Sequence, residues 1–143
     1  MTISSYMATH HAFCDELFTN VENLAAQSDW EQLRPVFNEF TAETERHFLR
    51  EEKILFPRLE NVMGSADGPT QVMRLEHEQI RLLTENLKVM IENKDREGIL
   101  GEAETLLIMM QQHNAKEEQI LYPMMDRTLV SEEGSLLLEL EDC

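Results

Sequence analysis

The 143-residue chain has little with which to turn a backbone: five glycines and four prolines. So few punctuating residues argue against an architecture of many short strands and leave room for long helices. Cysteine is as scarce. Cys14 and Cys143 cannot build a disulfide framework, and one of them is the last residue. No apolar run approaches the ~18 residues of a transmembrane helix. The opening MTISSYMATHHAF has neither a basic segment nor a continuous apolar one, so no signal peptide is read and a cytoplasmic location is expected. Positive charge is also short, with 12 Lys and Arg against 28 Asp and Glu and a formal net charge of −16. Such a surface repels phosphate backbones and anionic membranes, so neither nucleic acid nor membrane is an expected partner.

Hydrophobic residues make up 42% and charged residues 28%, which suits one folded domain over residues 1–143. Met7, Cys14, Leu17, Val21 and Leu24 recur at helical spacing. The same reading predicts helices over about 3–27, 30–56, 70–93 and 97–122. Ser28 with Glu31 reads as a capping box, and Pro35 as either an opening or a kink of the second helix. Pro57 and Pro123 are read as stops, because a residue before proline is pushed out of the helical region. GSADGPT, Gly64 to Thr70, is the clearest loop. Residues 131–143 form a short helix or an acidic tail. Two helix pairs around one longer loop predict an all-α, up-down-up-down four-helix bundle.

The chemistry lies in a repeat. A shift of 66 residues places His47 on His113, Glu51 on Glu117, Glu52 on Glu118 and Pro57 on Pro123. It also places His11 on His77, so four of the five histidines pair by one offset. Each half contributes one histidine from its first helix and His-x3-Glu from its second. Residues i and i+4 share a helix face, so His47 with Glu51, and His113 with Glu117, point the same way. That face is the apolar one, continued by Phe40 and Leu55 in one half and by Leu106 and Ile120 in the other. Two buried carboxylates need cations, and Arg81 is the one internal counter-charge available. Metal is the better partner. Six nitrogen and oxygen donors exceed the four of a zinc site and suit two metals, iron first and manganese or zinc behind it.

The remaining candidates are weighed by register and chemistry. The 66-residue register favours His11 over His10 as the first-helix ligand. Glu52 and Glu118 point about 100° away from the ligating glutamates, toward solvent or toward imidazole N–H groups, and Glu118 is a secondary ligand candidate. Phe56 and Tyr122 are read as core packing. Cys14 reads as a buried apolar residue rather than a thiolate ligand.

His11, His47-x3-Glu51, His77 and His113-x3-Glu117, with the repeated phrases HFLREEKILFP and HNAKEEQILYP, resemble the hemerythrin-like HHE cation-binding domain. The resemblance covers nearly the whole chain. It implies a four-helix bundle around a non-haem di-iron centre, oxo- or hydroxo-bridged, that binds or senses oxygen, nitric oxide or peroxide. Arg81 stands where oxygen-carrying hemerythrins have a further histidine, and Glu117–Glu118 where they have an aspartate, which counts against simple oxygen carriage. The ligand set is similar to the di-iron domains of iron–sulfur-cluster repair proteins, which usually carry a cysteine-containing domain that these residues do not include. Iron donation, cluster repair or nitric-oxide detoxification is the resulting alternative, and a metal-stabilised interaction module a third. Leu136 to Leu138 and Leu140 are apolar enough to serve a homodimer.

Overall fold

Thr2 opens the first helix with a reciprocal cap, its hydroxyl accepting from the Ser5 amide while Ser5 accepts from the Thr2 amide. The computed structural model describes residues 1–143. Helix α1 is Ile3–Ala26. Helix α2 is continuous over residues 30–63, as Trp30–Arg50, a π-helical turn Glu51–Leu55 and Phe56–Met63. Helix α3 is Pro69–Glu92. Helix α4 is continuous over residues 96–128, as Arg96–Lys116, a π-helical turn Glu117–Leu121 and Tyr122–Thr128. A 3₁₀ turn Val130–Glu132 leads into α5, Glu133–Asp142.

The first four helices pack in a ring, α1 on α2 and α4, α3 on α2 and α4, as a four-helix bundle requires. No helix is long and apolar enough to cross a membrane. The 66-residue repeat is visible in the backbone. Ser28 and Lys94 both take positive φ (55° and 53°) in the tight turns, and Asp29 and Asp95 both cap the helix that follows. Asp29, not Ser28, therefore caps α2: the reversal puts Ser28 in the left-handed region, and the Asp29 side chain accepts from the Gln32 amide. Pro35 lies inside α2 on its exposed face, rather than at the helix start.

Pro57 and Pro123 do not end their helices. In each π-turn the amide of the residue before proline bonds five residues back, Phe56 to the Glu51 carbonyl and Tyr122 to the Glu117 carbonyl. The wider turn absorbs the missing proline donor and ring, so the rod continues for two more turns. The Glu52 carbonyl, left without a backbone partner by Pro57, receives Arg74 Nη2 at 3.4 Å. The π-turn also changes the phase of the helix. Leu121 is buried while Ile120, read from α-helical spacing as part of the inner face, is exposed.

The core falls into two clusters. One, built on Phe18, Phe37, Phe40, Leu87, Ile99 and Leu106, fills the end with the tight turns. The other, built on Ile3, Met7, Phe56, Tyr122, Leu136 and Leu140, fills the opposite end. Helix α5 is thus a docked helix and no frayed tail: Leu136 and Leu140 are fully buried, each contributing about 1.5–3 kcal/mol of apolar burial. That burial also removes two of the leucines read as a dimer surface and leaves Leu138 exposed. Arg50 fastens α5, its Nε donating to the Leu140 carbonyl at 3.0 Å. Between the two apolar clusters lies a polar layer.

Candidate metal centre

That layer brings together His11 from α1, His47 and Glu51 from α2, His77 from α3, and His113 and Glu117 from α4. All six are buried, with Glu51, His77 and Glu117 at 0% exposure. The i, i+4 geometry of the two His-x3-Glu pairs is intact, and each glutamate opens a π-turn. Such turns are frequent at functional sites because the extra residue re-aims a side chain.

Glu51, His77, His113 and Glu117 form the first cluster, with one potential donor atom from each lying within 4.8 Å of the others. Four atoms here have no hydrogen-bond partner: Glu51 Oε1, His77 Nε2, His113 Nε2 and Glu117 Oε2. His77 Nε2 lies 3.0 Å from Glu51 Oε1, and His113 Nε2 lies 3.4 Å from Glu117 Oε2, without hydrogen-bond alignment. Four orphaned polar atoms in one buried spot would be costly as they stand, since each lost its water on folding. A cation satisfies all of them together.

His11, His47 and Glu117 form the second cluster. His11 Nε2 faces Glu117 Oε1 at 2.9 Å, and His47 Nε2 lies 3.6 Å from Glu51 Oε2 and 4.0 Å from Glu117 Oε1. Both glutamates therefore span the layer. Each turns one oxygen toward the His77–His113 pair and the other toward the His11–His47 pair, as bridging carboxylates would.

Three imidazoles are held from behind by carboxylates. Nδ1 of His77 donates to Glu52 at 2.6 Å, Nδ1 of His11 to Glu118 at 2.8 Å and Nδ1 of His113 to Glu76 at 2.8 Å. Committing Nδ1 to a carboxylate leaves Nε2 free to face inward, the arrangement that orients histidine ligands of metals. Glu52 and Glu118 are repeat-related and do the same work, so neither sits among the inward donors. Glu76 was not singled out from the sequence. The register pairs position 76 with position 10, and glutamate opposite histidine there was the available signal. His10 stands in that equivalent place but lies against Arg50 at 3.1 Å, away from the cluster, and His47 Nδ1 is left without a partner. Burial first, then Arg50, lowers His10 to about 4, so it stays neutral.

Arg81 does not enter the layer. It pairs with Glu52 at 3.0 Å and with Glu45 at 2.9 Å, behind His77, and lies over the Phe48 ring. The counter-charge expected inside is therefore one shell away. Glu52 is held down to about 2: burial works against it, but hydrogen bonds from His77 and Arg81 prevail. In the metal-free chain the imidazoles supply the positive charge. Burial opposes protonation of His47, yet Glu51 and Glu117 raise it to about 10, and the same contest with Glu117 ahead raises His113 to about 9. Burial would raise the Glu117 carboxyl too, but the imidazoles of His11, His113 and His47 around it hold it well below the usual range. Cys14 is buried, that burial pushes its thiol up to about 11, and its sulfur is not among the donor atoms of either cluster.

Tyr122 was read as core packing and is fully buried, but its hydroxyl reaches the polar layer, donating to Glu51 Oε2 at 2.6 Å. On the side of the tight-turn core, a cavity of about 20 Å³ is lined by His11, Cys14, Thr44, His47, Phe48, Ile80, Met110 and Asn114. That volume admits one water-sized guest. The Thr44 hydroxyl in its wall has no hydrogen-bond partner.

Buried nitrogen and oxygen donors with orphaned inner atoms and oriented imidazoles make a site fitted to metal ions. The family model described as hemerythrin HHE cation binding domain matches residues 2–125. Neither the curated proteins nor the solved structures returned a match to the chain.

Proposed function

The chain belongs to the hemerythrin HHE cation-binding domain family, and from that premise we propose that it is a non-haem di-iron protein that binds or senses a small ligand, oxygen, nitric oxide or peroxide. The observation that carries the proposal is the set of four unpartnered inward atoms, Glu51 Oε1, His77 Nε2, His113 Nε2 and Glu117 Oε2, beside a second cluster that shares Glu117. His77 and His113 would hold one ion, His11 and His47 the other, with Glu51 and Glu117 bridging. Imidazole and carboxylate without thiolate suit iron, with manganese or zinc as substitutes. Bound iron supplies redox chemistry and open coordination positions for a small ligand.

The protein's own part is to shape and dry the site. Glu52, Glu76 and Glu118 keep three imidazoles in the ligating tautomer. The two apolar clusters exclude bulk water above and below the layer. The cavity beside His11 and His47 has room for about one water-sized guest, which favours a small inorganic ligand over an organic substrate. Thr44 offers the one unpaired hydroxyl from its wall. Burial of all six donors also favours an iron centre that is retained over one that donates its iron, because release would require opening the bundle.

The test is anaerobic iron loading followed by metal analysis and optical spectra before and after oxygen or nitric oxide is admitted. Two irons per chain with a ligand-dependent absorption change is the expected result. Zinc alone after iron-replete expression, or iron whose spectrum ignores both gases and peroxide, contradicts the proposal.

A further inference from the structure

The two candidate metal positions are not equivalent, and the first difference is Tyr122. The repeat places Phe56 and Tyr122 at the same point of the two halves, just before the prolines that follow each π-turn. Both rings pack alike on a ligand histidine, Phe56 stacking on His77 at 5.8 Å and Tyr122 on His11 at 5.6 Å. The two halves thus differ here by a single oxygen atom.

That oxygen has more polar neighbours than hydrogen bonding can serve. It lies 2.6 Å from Glu51 Oε2, 3.0 Å from Glu117 Oε1, 3.1 Å from His47 Nε2 and 3.3 Å from His11 Nε2. A phenol has one proton to donate, and both carboxylates can only accept when ionised. These four atoms are also the inward donors of the His11–His47 position. The hydroxyl sits where they converge. A group that only packed the core would not carry its one polar atom to that point, and Phe56 fills the equivalent space without one.

A second asymmetry falls on the same position. His113 has Glu76 behind its Nδ1, whereas His47 Nδ1 has no partner, because residue 10 is histidine. The His11–His47 position thus lacks one orienting carboxylate and has one additional oxygen.

We infer that Tyr122 is a fifth protein donor to the metal at the His11–His47 position, binding through its phenolic oxygen, while the His77–His113 position has no such donor. When the ferric ion binds, the Tyr122 O–H bond breaks, its proton leaves to solvent, and an oxygen–metal bond forms without change of oxidation state. The inference rests on the two-metal reading above.

The test uses ferric-loaded protein, with iron counted on the same samples. Wild type is expected to show a visible phenolate-to-iron charge-transfer band and, on excitation into it, resonance Raman modes of a coordinated phenolate. Tyr122→Phe should abolish both with iron content retained or lowered by one. The chain has two tyrosines, so Tyr6→Phe must keep the band; this variant assigns it even if Tyr122→Phe folds poorly. Two irons in wild type without the band overturn the tyrosine ligand and leave the di-iron reading standing. A band that survives Tyr122→Phe or disappears in Tyr6→Phe also overturns the ligand. Failure of wild type to bind iron overturns both.

Discussion

Glu52→Gln isolates what an orienting carboxylate contributes, because glutamine keeps the shape of the side chain and an acceptor oxygen while removing the charge. Glu52 accepts from His77 Nδ1 at 2.6 Å and is only 18% exposed, so little water screens the pair. Loss of such a partner typically weakens metal binding by about 10–100-fold, or about 1.4–2.7 kcal/mol. Glu118 stands in the repeat-related place behind His11 at 2.8 Å, but its side chain is 43% exposed. Screening there should hold the cost of Glu118→Gln below about 1 kcal/mol, in the range of exposed ion pairs. The assay is competition with a chelator of known affinity, under anaerobic conditions, with circular dichroism confirming the bundle. Glu52 also pairs with Arg81 at 3.0 Å, so Arg81→Gln is the necessary control, expected to recover only a small part of the loss. Equal losses for Glu52→Gln and Glu118→Gln, or no loss for Glu52→Gln, would refute the idea that buried carboxylates hold these imidazoles in their ligating tautomer.

Other expectations follow from burial and charge. His47 and His113 are raised from 6.5 to about 10 and about 9 in the metal-free chain, so both are protonated at neutral pH, and metal loading there should release protons that a pH indicator detects. Their folded pKa values lie above the unfolded one. The stability they contribute is therefore complete below about 6.5 and lost as pH rises through 9 to 10, and thermal melts of metal-free protein should fall across that window. His11→Ala should lower metal content while His10→Ala leaves it unchanged, since His10 lies against Arg50; the reverse outcome would reassign the ligand. Leu140→Ala should destabilise the fold by about 2–5 kcal/mol in denaturant titration, and an effect under about 0.5 kcal/mol would mean that α5 does not dock in solution.

The bundle and the convergence of six donors were legible because a single offset organised both. One shift of 66 residues pairs His11 with His77 and each His-x3-Glu with the other, and helical periodicity turns that pairing into a shared interior. What escaped the sequence lay where local rules compete with geometry. Pro57 and Pro123 read as stops under α-helical rules, yet a π-turn accommodates proline, and nothing in residue spacing announces an i to i−5 bond. Glu76 lies one residue before His77, on a neighbouring face, and only the packing of α3 against α4 brings it behind His113. Tyr122 looked like its twin Phe56 because ring size and periodicity make both core residues; the hydroxyl acquires meaning only once Glu51 and Glu117 are seen beside it. The leucines of α5 looked free because a sequence does not show which apolar face is left open at the end of a bundle.

On the proposal above, Glu51 and Glu117 join two metal positions in one buried layer. Iron counted per chain by elemental analysis, in wild type and in Glu117→Ala after identical anaerobic loading, tests it most directly. Two irons are expected in wild type and at most one, weakly held, in the variant, because Glu117 belongs to both clusters. One iron in wild type, or two irons retained without Glu117, would contradict it.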